Sequence, residues 1–134
     1  MLRTYKGSCH CRAVCYEADI DLSAGTGKCN CSICRKSRAW GALIKPEAFR
    51  LVAGEDQLSD YQFGSKQGHR MFCKHCGLQP FSYGHVPEIG GDFVSVNVAC
   101  LDDVPDQELA ALSVRYSNGR DNDWMNPPVE TGYL

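Results

Sequence analysis

"FCKHCG", residues 72–77, is the stretch on which the fold turns. Two cysteines three apart, followed by glycine, make the tight turn that brings two sulfurs to one metal ion. Gly77 is free to take the positive φ such a turn needs. A knuckle of this kind supplies two ligands, and a structural zinc wants four. "GSCHC", residues 7–11, offers the other two. In a strand, residues two apart point to one face, so Cys9 and Cys11 can grip a single ion. Cys9, Cys11, Cys73 and Cys76 then form a closed four-thiolate site that ties the N-terminal strand to the middle of the chain. Such a site contributes on the order of 10 kcal/mol to folding.

Around these anchors the chain reads as short β-prone runs divided by turns. Residues 12–20, "RAVCYEADI", alternate, with Val14, Tyr16, Ala18 and Ile20 on one face. After the turn "LSAGTG", residues 42–44, 49–52, 58–63 and 69–73 are further strands. "LQPFSYGHV" and "FVSVNVAC" form a longer pair joined by "PEIGGD". Asp106 to Leu112 is the one predicted helix, with Asp106 as its cap. "SVRYS" is one more strand, and "NPPVETGYL" an extended tail. The expectation is an all-β, mainly antiparallel architecture with one short helix, residues 1–134 forming one domain of ordinary size.

Nine cysteines in 134 residues, an odd number in close clusters, fit metal chelation better than a disulfide framework. With the quartet assigned, Cys29, Cys31 and Cys34 of "KCNCSIC" remain together. Three protein ligands with a vacant position are the pattern of a reactive zinc site, and the open position suits an incoming thiol. Spacing leaves a second partition open, in which the knuckle closes with two cysteines of this triplet. Cys15 and Cys100 sit in strand-like runs and read as small buried hydrophobes. His10 and His75 lie inside the ligand loops, and His69 and His85 flank strands. His85 is a candidate for contact with a metal ligand or with substrate. Arg35, Lys36 and Arg38 follow the triplet directly. They read as a solvated face or, more sharply, as an anion clamp, with Arg35 and Lys36 the candidate substrate contacts.

Composition narrows the function. Hydrophobic residues are 43% and charged residues 22%, as in a globular protein. The formal net charge is -2, and seven metal-bound thiolates on two zinc ions make it more negative. That disfavours nonspecific nucleic-acid binding, which depends on neutralising phosphates. "MLRTYKGSCHC" has no apolar signal region, and runs such as "AWGALI" are too short to cross a bilayer. A cytoplasmic protein with no membrane partner is expected.

Taken together, "GSCHC", "CNCSICRKS" some twenty residues on, and "FCKHCG" resemble the glutathione-dependent formaldehyde-activating enzyme family, whose domain centromere protein V also carries. "FVSVNVACLDD" is similar to the family's strand and turn at that point. The resemblance runs from about Gly7 to Asp103, and weakly to Trp124. It implies a β-tent fold holding two zinc ions, one structural and one catalytic. Carried over, Cys9, Cys11, Cys73 and Cys76 match the structural site, and Cys29, Cys31 and Cys34 the catalytic one. The implied reaction joins glutathione and formaldehyde reversibly as S-hydroxymethylglutathione, which makes the expected class a carbon–sulfur lyase or transferase. Its partners would be a small thiol and a small electrophile. Two features depart from the family's pattern. Arg12 stands where a glycine commonly follows the second cysteine, and the brief segment between Cys34 and Phe72 predicts a small substrate pocket. Two other readings compete: a zinc module that binds a thiol or a protein without turnover, and a purely structural protein whose triplet is completed by Cys100 or a histidine.

Overall fold

The computed structural model describes residues 1–134. Ten strands run in chain order: β1 Arg3–Ser8, β2 Cys15–Ile20, β3 Thr26–Cys29, β4 Gly41–Ile44, β5 Phe49–Ala53, β6 Leu58–Tyr61, β7 His69–Cys73, β8 Phe81–Val86, β9 Gly91–Asn97 and β10 Val114–Ser117. Two short helices, α1 Ser32–Ser37 and α2 Asp106–Ala110, complete the regular structure. The strands form a three-stranded sheet, β1-β2-β5, and a seven-stranded sheet, β10-β3-β4-β9-β8-β7-β6. Every pairing is antiparallel except β10 with β3, where Val114 lies opposite Thr26. The all-β expectation holds.

The core lies between the sheets, and the alternation in "RAVCYEADI" builds its near wall. Val14, Tyr16, Ala18 and Ile20 are all buried. Phe81, Val94 and Val96 face them from the larger sheet. The rings of Tyr16, Phe49 and Phe81 meet at centroid distances of 4.6 to 5.9 Å, in tilted and edge arrangements. Each such buried side chain stabilises the fold by about 1.5–3 kcal/mol. A turn at the end of β9 docks the sheets further. Asp102 N–H donates to the Lys6 carbonyl at 2.8 Å, and Ser8 Oγ to Asp102 Oδ2 at 2.7 Å.

Four local expectations are revised. β1 ends at Ser8, so Cys9 and Cys11 sit on a turn and not on a strand. The turn closes through Arg12 N–H to Cys9 C=O and Cys9 N–H to Val14 C=O, each 3.1 Å. The last two residues of "LSAGTG" already belong to the strand β3, whose parallel partner is far along the chain. α1 is a second helix, set within the cysteine triplet. At α2 the cap position is Pro105, and Asp106 is the first helical residue with no side-chain capping bond. Its carboxylate still stands at the favourable end of the helix dipole.

Candidate functional site

The seven clustered cysteines resolve into two groups. The sulfurs of Cys9, Cys11, Cys73 and Cys76 lie within 4.8 Å of one another, and those of Cys29, Cys31 and Cys34 do likewise in a separate cluster. The alternative partition across the knuckle and the triplet does not occur. No other Cys, and no His, Asp or Glu, joins the triplet. Cys100 is buried elsewhere, and burial pushes its thiol up to about 12, as suits a small apolar side chain. Cys15 is only half-buried, and its thiol donates to the Arg12 carbonyl.

The quartet is built from two turns. Cys73 closes β7, and Gly77, at φ 75°, lets its N–H reach back to the Cys73 carbonyl at 2.9 Å. Backbone amides point at the sulfurs: Val14 N–H at Cys9 Sγ and His75 N–H at Cys73 Sγ, both 3.4 Å. Hydrogen bonds from the backbone at Cys11 and Leu78 bring the Cys76 thiol down to about 6. Those at Cys76 and His75 lower Cys73. Amides arranged in this way favour thiolates, the form that binds metal. His75 points its ring away, toward the Gln57 side-chain oxygen. Arg12 adopts φ 65° in the first turn, the left-handed conformation that glycine takes at no cost.

The triplet is built from a strand end and a helix start. Cys29 closes β3, Cys31 caps α1, and Cys34 lies three residues further on. One helical turn places positions i and i+3 on the same face, which brings Cys34 under Cys31. Cys31 N–H donates to Cys29 Sγ at 3.3 Å. Thiol hydrogen bonds from Cys29 and then Cys34 hold Cys31 far below the ordinary thiol range. As a donor in that cluster, Cys34 is pushed up, with burial adding to the effect. The positive charge of Arg70 favours thiolates at both Cys31 and Cys34.

Asn30, between two of these cysteines, is buried, and both of its side-chain polar atoms are bonded. Its Nδ2 donates to Asn118 Oδ1 at 2.9 Å, and its Oδ1 accepts from Arg120 N–H at 3.0 Å. These bonds hold the turn at Gly119–Asp121 against the triplet. Gly119 packs so closely that a Cβ there would stand 2.5 Å from Cys29 Sγ and 2.6 Å from the Trp124 ring. Neither Asn30 nor this turn stood out in the sequence. The dense run "SNGRDNDW" is the turn-forming signal that marks it.

The triplet opens on a groove of about 1570 Å³ along the seven-stranded sheet. Exposed Leu43, Phe63 and Met125, Arg70 and Ser82, and half-buried Trp40 contribute to its lining. His85 lines the same groove, with Nδ1 held by Asp92 Oδ1 at 2.6 Å. Arg35 and Lys36 do not line it. They border a second depression with Ser32, Arg120, Glu130 and Tyr133, and Arg35 lies 5.6 Å over the Tyr133 ring. Each helical residue turns about 100°, so the positions one and two after Cys34 leave its face. Both charges instead complement the negative end of α1. Of the expected anion clamp, Arg35 and Lys36 are thus turned away from the groove, whereas Arg38 lines it together with the three cysteines.

The donor sets fit zinc: four converging sulfurs in one place, three in the other, with amide donors to hold them ionised. No helix is long and apolar enough to cross a membrane.

Comparison with known proteins agrees with this geometry. The family described as "Glutathione-dependent formaldehyde-activating enzyme" matches residues 4–117. The crystal structure of a Rhodobacter sphaeroides protein, a structural genomics target, superimposes with a TM-score of 0.70 at 32% identity. That match covers 82% of this chain and 99% of the other.

Proposed function

This chain belongs to the glutathione-dependent formaldehyde-activating enzyme family, and on that premise we propose that it catalyses the reversible addition of a thiol to a small aldehyde. Glutathione and formaldehyde are the pair the family's description suggests. The observation that carries this reading is the triplet: three converged sulfurs, no fourth protein ligand, and a groove at their side.

Cys29, Cys31 and Cys34 would hold the catalytic zinc, and Cys9, Cys11, Cys73 and Cys76 the structural one. Zinc held by the triplet would supply an open Lewis-acid position at which an incoming thiol loses its proton. The chain's own residues do the rest. Asn30 fixes the Gly119 turn, so the backbone limits approach to the triplet from one side. The groove admits the body of the thiol along the sheet and brings its sulfur to the cluster, which is catalysis by placement. Addition then forms one carbon–sulfur bond, and the carbonyl π pair moves to oxygen. The oxygen takes up the proton that the thiol gave up, so one thiol and one formaldehyde become one S-hydroxymethyl thioether, with every atom retained. The reverse step breaks the same bond.

The test is exchange NMR on glutathione and formaldehyde at equilibrium. The zinc-loaded protein should speed exchange between free and adduct methylene signals above the spontaneous rate, and Cys31→Ser should abolish the gain. An exchange rate equal to the protein-free rate would reject the reading.

A further inference from the structure

Arg70 is left unexplained by the metal centres and by the core. It lies mid-strand in β7, directly across from Ser82 in β8. Its Nη1 donates to Ser82 Oγ at 3.3 Å, while its Nε is buried and has no partner. The side-chain ion pairs of the chain involve Arg3, Arg50, His69 and His85, and none reaches Arg70. A buried donor without a partner is costly, and folding alone gives no reason to keep it.

Its surroundings supply the reason. Arg70 and Ser82 line the groove together with Cys29, Cys31 and Cys34. Ser82 is buried, and its hydroxyl accepts from Arg70, so its own proton remains free to donate. Phe81, next to it, points into the core, and strand alternation turns Ser82 the other way. The Arg70 guanidinium, which no carboxylate neutralises, and the Ser82 hydroxyl therefore lie side by side in the lining of the groove that also holds the three sulfurs.

We propose that Arg70 and Ser82 form an oxyanion-binding pair of the groove. Its ligand is a negatively charged oxygen of the substrate: the alkoxide created when sulfur adds to the aldehyde carbon, or a carboxylate carried by the thiol. The identity of that substrate rests on the thiol-addition reading, whereas binding of an oxyanion does not. In the alkoxide case the carbonyl π pair arrives on oxygen as the carbon–sulfur bond forms. Arg70 and Ser82 donate hydrogen bonds to it there, and the oxygen then takes the proton lost by the thiol. Arg70 acts only as a hydrogen-bond donor and transfers no proton in the step.

Formate, a small carboxylate with no thiol, is the probe. It is titrated into zinc-loaded, nitrogen-15-labelled protein, and the Arg70 Nε–H signal is followed, identified by its absence in Arg70→Lys. A saturable shift of that signal and of the Ser82 amide is expected. Ser82→Ala should weaken formate by a few-fold and Arg70→Gln by at least about tenfold, as for loss of a neutral and a charge-assisted hydrogen bond. Absence of a saturable shift in the unmodified protein overturns the pair, and that reading requires no variant to fold. Exchange kinetics with formaldehyde and either 3-mercaptopropionate or 2-mercaptoethanol separate the two sources of charge. A higher KM for the carboxylate thiol alone in Arg70→Gln identifies the carboxylate. An equal fall in kcat for both thiols identifies the alkoxide, and no change in either parameter overturns the role. Failure of the thiol-addition reading looks different: the unmodified protein then accelerates neither thiol, whatever formate does.

Discussion

The two cysteine clusters use the same ligand atom and differ in almost everything else. The quartet joins segments that are far apart, with Cys11 Sγ lying 3.6 Å from Cys73 Sγ across 62 residues of sequence. It clamps the end of β1 in one sheet to the end of β7 in the other, and Cys9 and Cys73 are buried. The triplet spans six consecutive positions within a single strand-to-helix turn, is half-buried throughout and faces a groove. Ligands drawn from distant segments close long loops, so metal binding there is folding energy. Ligands drawn from one turn close almost nothing. On the proposed reading, the contrast separates a site that holds the molecule together from one that the fold presents, incompletely ligated, to substrate.

The largest expected effect comes from breaking the quartet. Cys73→Ser should cost more than about 5 kcal/mol, comparable to the whole stability of a small domain, and leave the chain unfolded or insoluble. Thermal melting followed by circular dichroism checks this, and a cooperative transition near the wild-type temperature would erase the contrast. Cys31→Ser should do the opposite: a fold melting within a few degrees of the wild type, one zinc per chain in place of two, and turnover reduced at least about a hundredfold. Metal analysis of the purified variant, beside the exchange assay, reads both parts. Asn30→Ala sharpens the comparison from within the triplet. Loss of its bonds to Asn118 and Arg120 should loosen the Gly119 turn and weaken zinc at this site about 10- to 100-fold, leaving the quartet's zinc unchanged. Competition with a chelator measures the two affinities separately. The smallest effect concerns the quartet's first turn. Arg12→Gly relieves a left-handed non-glycine residue and should stabilise the protein by about 0.5–1 kcal/mol. A denaturant midpoint that moves down would show that the Arg12 side chain has a role of its own.

The parts legible in the sequence were those whose information is local. Cysteine spacing separates knuckle from triplet because each group is compact along the chain. Alternation from Val14 to Ile20 identifies the buried face because one side of that strand meets the core. β3 was not legible. Its four residues include a glycine, it pairs with β4 only at Gly27 and Gly41, and its parallel partner begins at Val114. α1 was hidden for another reason. Six residues are too few for helical periodicity, and the helix rests on its neighbours and not on propensity. Arg35 and Lys36 looked functional by adjacency, but helical rotation carries them off the ligand face. Arg70 lies 36 positions beyond Cys34 in the chain and reaches the groove only because β7 pairs with β8. No spacing rule could place that guanidinium near the sulfurs.

The difference between the two clusters can be measured directly. Cobalt replaces zinc in both sites, and its visible and charge-transfer bands report each coordination sphere. Adding glutathione to the protein carrying two cobalt ions per chain should shift the bands of one site alone, and Cys31→Ser, with its single remaining cobalt, should show no response. A spectrum unmoved by thiol with both sites filled would mean that the triplet is closed, and the distinction between a holding site and a presenting site would fall.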